Sequence, residues 1–586
     1  MPSTSTSPTT DAREGALAPS GPGRLLQRVA GEGAAVAAHL ASLVVGYLAL
    51  WVLLLGTWFH GDDFEFLANR VGDDPVAGIW AAHVEHWSTA PILIWKVLYA
   101  AFGMDSAAPY FAVQLLVHVI SAHLLWRLIR RAGAHTWVAT GLAASFLVLG
   151  SGWDNITWAF QVGFIGSLAL GLGSLLLVLR GTGRAFVLAV ALSVLSLTFS
   201  GVSITFAIAG ALTLLLMGRV VRAVVLGLVT GGVYLSWYAL NTENIRPPEH
   251  GSSPVDRLSN APRWAWQLLG SSYESYTAVI GAGAVLALFL VGFFVWRVGD
   301  DAATWRAPAD DPRRVQLAAL TSITGTALLQ VASFAVNRND ISTPDTSRYL
   351  YFVIGLSLPL LGVVLSRFTR SPWQTALVGG ILVYLVIEQG LLLVSQERQY
   401  ESPQLQHDTL GLAALIEAGE PVDSVALAVD VNTTSITKWV EEEALGTLSD
   451  VPAQYVLDAR GFGQVASYPD QPADTTAATV RPAAGSARGT ADGVGDGAPL
   501  GPGACAATSV VPGSVAATVS LQPGTTVAVT VEDGTSLVYR VLQGDARSRT
   551  IGITVPVNGT RWLTSRTTME LELVADSGQD LTVCAP

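Results

Sequence analysis

GAAVAAHLASLVVGYLALWVLLLGTWF, residues 33–59, decides the class of this protein. The run is longer than the roughly 7–15 apolar residues at the core of a secretory leader. No small-residue cleavage site closes it. A bilayer core needs about 20 apolar residues in a helix, so the run reads as a retained transmembrane span. Ahead of it, residues 1–23 are rich in Ser, Thr, Pro and Gly and have no apolar period. That composition predicts a disordered tail over 1–32.

Further apolar runs follow at about 107–127, 136–152, 158–179, 185–200, 202–218, 223–240, 276–297, 315–336, 349–367 and 374–395, which makes 11 with the first. The pair within 185–218 is short for two spans, separated only by the turn signal Ser200-Gly201. The composition agrees: 51% of residues are hydrophobic and 13% charged, against roughly 25% charge in soluble proteins. The net charge of −12, from 33 basic and 45 acidic residues, leaves no basic face for nucleic acid.

Arginines cluster in every second loop: Arg24/Arg28, Arg127/Arg130/Arg131, Arg180/Arg184, Arg219/Arg222, Arg297 with Arg306/Arg313/Arg314, and Arg367/Arg370. The alternate loops hold far fewer. The positive-inside rule then puts the amino terminus in the cytoplasm. An odd span count puts residues 396–586 outside. Lys96 and Lys438 are the only lysines, a bias that fits a GC-rich bacterial genome and so a bacterial plasma membrane.

The exported part divides by pattern. Residues 396–470 mix helix-like runs (LGLAALIEAG, SITKWVEEEALG) with a strand-like one (DSVALAVDV), predicting a small α/β subdomain. Residues 471–503, rich in Ala, Gly and Pro, read as a flexible linker. From 504 to 586, short alternating runs separated by Pro-Gly, Asp-Gly and Asn-Gly predict a β-sandwich. Cys505 and Cys584 are the only cysteines, and a lone pair in an exported segment reads as a disulfide. Closing a loop of about 80 residues contributes about 4–5 kcal/mol in the chain-entropy model.

The chemistry belongs in the outer loops. The first, about 58–106, is too long for a plain connector, and IWAAHVEHW and PILIWKVLYAAF have the apolar recurrence of helices lying on a membrane. Asp62 and Asp63 follow the first span closely. Two adjacent carboxylates repel, which raises the pKa of one and suits it to base catalysis on a hydroxyl acceptor. The pair could equally hold a divalent metal ion, or simply cap a surface helix. His83 and His86 offer phosphate or Asp63 a hydrogen-bonding partner, although His-x-x-His alone is weak evidence for a metal. In the second loop, SGWDNITWAFQ, Asp154, Asn155 and Gln161 stand near Trp153 and Trp158. Amides and carboxylates read sugar hydroxyls and indoles stack on sugar faces; the bland reading is an aromatic belt with an N-cap. His118 and His123, about 140° apart round one helix, read as packing residues.

No Walker loop, dinucleotide fingerprint, zincin helix or G-x-S-x-G is present. The spans carry almost no charge beyond Glu388, which argues against an ion pump or proton-coupled transporter.

A first span, then Asp62-Asp63, then Asn69, then HWSTAP (residues 86–91), an apolar stretch and the helix-like YFAVQLLVHVISAHLLWRLIRR resembles the GT-C glycosyltransferases. Within them it looks like the branch of protein O-mannosyltransferases and related multi-pass sugar transferases. The family's acidic motif falls on Asp62 and Asp63, and its aromatic-Ser-x-x-Pro motif on Trp87, Ser88 and Pro91. The sequence departs from the pattern at Thr89-Ala90, where relatives often carry a basic residue. The resemblance covers roughly residues 33–395, with its motifs mainly in the first 130.

It implies a catalytic carboxylate at Asp63, supported by Asp62, and a polyprenyl-phosphate-linked sugar as donor. The acceptor would be a cell-envelope glycan, lipid or protein. Arg348, in TSRYLYF, is the first choice for the donor phosphate, because a guanidinium can hold it bidentately. Arg338 and Arg70 come next, and snorkelling beside Tyr349 and Tyr351 is the bland alternative for Arg348. His83, His86, Trp87, Asp154, Asn155 and Gln161 are the residues expected near sugar or acceptor. Two other classes fit the same layout: a lipid or glycan transporter without chemistry, and a membrane scaffold displaying a glycan-binding sandwich.

Overall fold

The computed structural model describes residues 31–585 except 69, 71–77, 244, 246–250, 301–302, 309–310, 400–401, 423–432, 446–447, 469–471, 473–475, 483–498, 502, 510–514, 524, 532–535, 555–558, 566 and 575–579. The tail with Arg24 and Arg28, Asn69, the strand expected at DSVALAVDV and most of the expected linker lie outside the described residues.

Among the described residues, eight helices are long and apolar enough to cross a membrane: Glu32–Leu53, Ala108–Arg131, Ala159–Arg180, Val220–Leu240, Ala282–Asp300, Pro312–Asn337, Ser347–Ser366 and Pro372–Gln396. Thr136–Leu147 and Gly150–Thr157 form a pair bent by 44°. Gly183–Leu197 and Ser203–Leu216 are shorter apolar helices. All 11 expected runs are therefore helical. The chain is an α-helical multi-pass membrane protein carrying a carboxyl-terminal α/β segment and β-sandwich.

The bend has a visible cause. Gln389, buried in the helix Pro372–Gln399, accepts from the backbone N–H and the hydroxyl of Ser151, both at 2.9 Å. Its amide donates to the carbonyls of Ser275 and Tyr276, each at 3.0 Å. Irregular backbone at membrane depth survives where protein groups satisfy it. Gly150 lets the helices meet, since a Cβ there would sit 2.5 Å from the Gln389 carbonyl oxygen.

One helix goes beyond the expectation. Pro254–Thr277 is amphipathic, too polar for a hydropathy window, and starts with Ser253 accepting from the Asp256 N–H. It packs inward through Trp264, Tyr273 and Tyr276, and the last two hydroxyls pair with Ser357 and Ser145.

The arginine-rich loops gather at one end of the bundle. There Arg130 pairs with Glu32, Arg222 donates to the Gly181 carbonyl at 2.6 Å, and Arg314 to that of Leu216 at 2.8 Å. The arginine-poor loops meet at the other end, where Ala90 N–H donates to Thr198 O, Trp237 Nε1 to Trp80 O and Asn339 Nδ2 to Arg257 O.

After the last span, helices Ser402–Glu417 and Ala453–Gln464 pack together, with Gly411 against the Tyr455 backbone. Two six-stranded sheets follow. One has the order β1 (Val465–Tyr468), β10 (Gly559–Ser565), β6 (Thr525–Val531), β12 (Asp580–Cys584), β4 (Cys505–Ser509), with β2 (Thr476–Ala477) beside β6. The other runs β3 (Thr479–Pro482), β5 (Val515–Leu521), β11 (Met569–Val574), β7 (Ser536–Gln543), β8 (Ala546–Arg547), with β9 (Ile551–Thr554) on β7.

Two expected boundaries shift. β2 and β3 fall inside the stretch read as linker, because β2 pairs with the interior strand β6 and β3 forms an edge of the other sheet against β5. β1 carries the preceding helix directly into the sheet by pairing with β10, so the α/β segment and the sandwich share one core. Cys505 and Cys584 are disulfide-bonded and stand opposite each other on β4 and β12.

Candidate active site

Gly61, at φ +53°, turns the chain out of the first span and into the short helix Asp62–Ala68. Asp62, Asp63 and Glu65 occupy its first turn, where the helix dipole favours negative charge. Beneath it lies a sheet of aromatic contacts: Phe59 against Phe64, Trp95 and Tyr110, and Phe66 against Trp95 and Phe160. Asp63 is fully buried, whereas Asp62 is half-buried.

One oxygen of Asp63 does capping work. Oδ2 accepts from the His60 backbone N–H at 3.0 Å and lies 3.9 Å from His60 Nδ1. Oδ1 is buried and completes no hydrogen bond of full geometry among the described residues, although the Phe160 N–H and the Trp158 indole N–H stand close enough to favour the charged carboxylate. Burial pushes the carboxyl well above the ordinary carboxylate range. The His60 N–H offsets part of this, the neighbouring Asp62 charge adds to it, and the Phe160 N–H and the Trp158 indole N–H offset a little more. The His60 ring stacks on Trp158 at 5.0 Å.

Capping explains Oδ2 and leaves Oδ1 unexplained. The same holds for several groups of these loops. His83 Nε2, Gln114 Oε1, Asn155 Oδ1, Trp158 Nε1, both side-chain polar atoms of Gln161 and Arg348 Nε are buried without a hydrogen-bond partner among the described residues. Native interiors rarely leave such atoms unmet, because each costs about 1–3 kcal/mol. With Asp63 Oδ1 they make a polar cluster in the arginine-poor loops and the helix ends beside them.

Its elements interlock. Gln114 donates to the Asn155 carbonyl, and Asn155 Nδ2 to that of Arg348 at 3.2 Å. The Asp154 N–H donates to Ser347 Oγ at 3.1 Å, and the Asp154 carboxylate feels the Arg348 charge. His83 and His86 close a tight turn by exchanging backbone hydrogen bonds of 3.0 and 2.9 Å, with Val84 at φ +54°. Glu85, inside that turn, pairs with Arg338 and lies 3.6 Å from His86 Nε2. Burial, with Arg70 and then His86 nearby, pulls His83 down to about 3. Burial, with Arg338 and then Arg348 nearby, does the same to His86. Both rings are neutral at physiological pH and act as hydrogen-bonding groups, not cations.

The three arginines separate by partner. Arg70 is spent on backbone: Nε donates to Gly78 O at 3.2 Å, Nη1 to Phe66 O at 2.5 Å and Nη2 to Ala82 O at 3.1 Å. Arg338 is balanced by Glu85. Arg348, half-buried with its guanidinium carbon 5.8 Å from the Tyr349 ring, makes no ion pair among the described residues. Trp87 belongs to the frame: Nε1 donates to Thr89 Oγ1 at 2.7 Å, and the ring stacks on Trp237 at 5.2 Å. His118 is a packing residue bonded to the Tyr351 hydroxyl and the Leu147 carbonyl, and His123 pairs with His39.

No group of three His, Cys, Asp or Glu side chains suited to a metal ion occurs among the described residues, so Asp62 and Asp63 find no third such ligand there.

Sequence reasoning passed over Glu85, Gln114 and Trp439. Glu85 sits between the two histidines it singled out, so its signal was available. Trp439, fully buried, donates its indole N–H to the Phe64 carbonyl at 2.8 Å and packs against Tyr99 at 5.5 Å. It clamps the Asp63 helix from the carboxyl-terminal segment, and nothing local in the sequence signals that.

No protein-family model matches the chain, and no curated protein matches it. Solved structures resemble it at a distance. The crystal structure of ArnT from Cupriavidus metallidurans bound to undecaprenyl phosphate is 14% identical, with a TM-score of 0.41 over 73% of this chain and 92% of that one. The apo state of the same protein gives 14% and 0.40 over the same shares. The cryo-EM structure of the arabinosyltransferase EmbB from Mycobacterium smegmatis is 12% identical, with a TM-score of 0.32 over 93% of this chain and 64% of that one.

Proposed function

We propose that the chain is a GT-C-type membrane glycosyltransferase that moves a sugar from a polyprenyl-phosphate-linked donor to a cell-envelope acceptor on the outer face of a bacterial plasma membrane. The observation that carries the reading is the Asp63 carboxyl. It is buried at the arginine-poor end of the bundle and held firmly through one oxygen only, in loops that also carry buried, incompletely bonded amides and an arginine without an ion pair among the described residues. A scaffold has no use for a carboxyl kept out of water at this cost.

In this reading Asp63 Oδ1 takes the proton of the acceptor hydroxyl as the sugar transfers. The leaving phosphate rests on Arg348, which makes no ion pair among the described residues although the Asp154 carboxylate lies within its electrostatic reach. Asp154, Asn155 and Gln161 read sugar or acceptor hydroxyls. Neutral His83 and His86 hydrogen-bond without adding charge. Arg338 is a weaker phosphate ligand, since Glu85 must first be displaced. Arg70 and Trp87 shape the loop. Asp62 tunes Asp63 electrostatically. The direct experiment is to follow a lipid-phosphate-linked sugar in membranes lacking the chain. Accumulation that wild type relieves and Asp63→Asn does not supports transfer, and an unchanged lipid-linked pool refutes it.

Two predictions sharpen the reading. Arg348→Ala should weaken donor binding by about 2–5 kcal/mol if the phosphate is desolvated there, measured by equilibrium binding of the lipid-linked donor. Wild-type affinity in that variant would remove Arg348 from the site. For orientation, Pro22→Cys should react with an impermeant thiol reagent only after permeabilisation and Thr490→Cys without it. Labelling of both from one side would overturn the assignment of the outer face.

A further inference from the structure

The arginine-rich end of the bundle holds a second concave cationic site. A cavity of about 230 Å³ opens between helix ends, lined by Gly133, Arg297, Gln316, Ser366, Arg367 and Arg370 among others. It has three arginines and no carboxylate in its walls. Asp300 lies near Arg297 and moderates that charge. Arg367 and Arg370 form no ion pair among the described residues. Arg367 is held by aromatic faces instead, its guanidinium carbon 5.0 Å from the Phe293 ring centre and 4.8 Å from that of Trp296. Gly133, at φ +99°, lets the Gln316 amide approach, since a Cβ there would lie 3.4 Å from Gln316 Oε1. Like charges gathered in a hollow repel one another, and an anion relieves them.

The cavity cannot serve the candidate active site. Its lining residues occupy one end of the helices Pro312–Asn337 and Ser347–Ser366, whereas Arg338 and Arg348 stand at the other. Those helices have 26 and 20 residues, which at 1.5 Å per residue separates their ends by about 30–40 Å. The volume is several times the roughly 30 Å³ taken by one water, enough for a phosphate group. The surroundings indicate where such a phosphate comes from. Trp296 is 50% exposed, Phe368 50% and Trp373 67%. Exposed aromatic rings beside arginines at helix ends mark the level of lipid headgroups.

We propose that this cavity seats the phosphate of an anionic phospholipid headgroup, with Arg297, Arg367 and Arg370 as its cations and the Gln316 amide as a further donor. Basic pockets between helices at the arginine-rich face have the chemistry for this, and a bidentate guanidinium suits a phosphodiester.

The test uses the full-length protein in phosphatidylcholine nanodiscs, titrated with phosphatidylglycerol or with inorganic phosphate, and reads thermal stability. Phosphatidylglycerol should stabilise the wild type. Arg370→Gln, an exposed position whose loss leaves packing intact, should weaken the apparent affinity by about tenfold. Arg297→Gln/Arg367→Gln/Arg370→Gln should abolish the response. Arg367→Lys, which keeps the charge but loses the aromatic stacking, should retain part of it, so a folding defect is told apart from a binding one. Equal stabilisation of wild type and Arg370→Gln overturns the site, as does the absence of any response in wild type. If inorganic phosphate alone reproduces the whole effect, with the same loss in the variants, the lipid is overturned as the source.

Discussion

Asp63→Asn is expected to lower sugar transfer by about 10²–10⁴-fold, the usual cost of losing a general base, while making the protein more stable at neutral pH. The two effects share one cause. Burial holds the Asp63 carboxyl well above its ordinary range, so the folded state binds a proton that the unfolded chain has already released. Between the unfolded and folded pKa values, stability therefore falls as pH rises; it is fully present below the unfolded value and lost through the folded one. A neutral amide does not pay that penalty. Transfer has the opposite pH dependence, because the base must be ionised: activity should climb with pH along a limb lying above the usual carboxylate range. Thermal melts and transfer rates measured across pH on wild type and Asp63→Asn test both halves. Undiminished transfer in the variant would remove Asp63 from catalysis. A destabilised variant would mean that the carboxylate is only a cap, worth the roughly 0.5–2 kcal/mol of such residues.

Trp439→Ala should be the most damaging change outside the membrane-embedded part. The ring is fully buried, and its indole N–H satisfies the Phe64 carbonyl one residue from Asp63. Truncating a buried aromatic costs about 3–5 kcal/mol. Here it also releases the clamp that positions the carboxylate. We expect the carboxyl-terminal segment to become protease-sensitive, the transfer rate to fall, and donor binding at Arg348 to persist. Trp439→Phe keeps most of the packing and loses one hydrogen bond, about 1 kcal/mol, so it should recover most of the rate. A Trp439→Ala protein with normal proteolysis and turnover would show that the segment does not hold the site.

Hydropathy is a property of consecutive residues, and a bilayer reads it directly. That is why residues 33–59 and seven of the ten later runs could be assigned as spans from the chain alone. The strand alternation from 504 onward and the lone cysteine pair were legible for the same reason. The expected linker was misjudged over Thr476–Pro482 because short Ala-, Thr- and Pro-rich strands carry little local signal and are stabilised by the strands they pair with. The amphipathic helix Pro254–Thr277 escaped detection because its polar residues dilute the apolar face that packs inward.

The candidate site divides in the same way. Asp62-Asp63, His83, His86, Asp154 and Arg348 were picked out by residue type and by their place after predicted spans. The sequence could not say that Arg70 is spent on three carbonyls, that Glu85 balances Arg338, or that Arg348 is left without an ion pair. Partner choice depends on distance in space. The bond from Trp439 to Phe64 joins residues 375 positions apart, and the His118 contact with Tyr351 spans 233. Residue type and periodicity determined the membrane class, the strands and the short list of chemical groups. Which oxygen of Asp63 stays unmet was decided only when helices distant in sequence packed and excluded water.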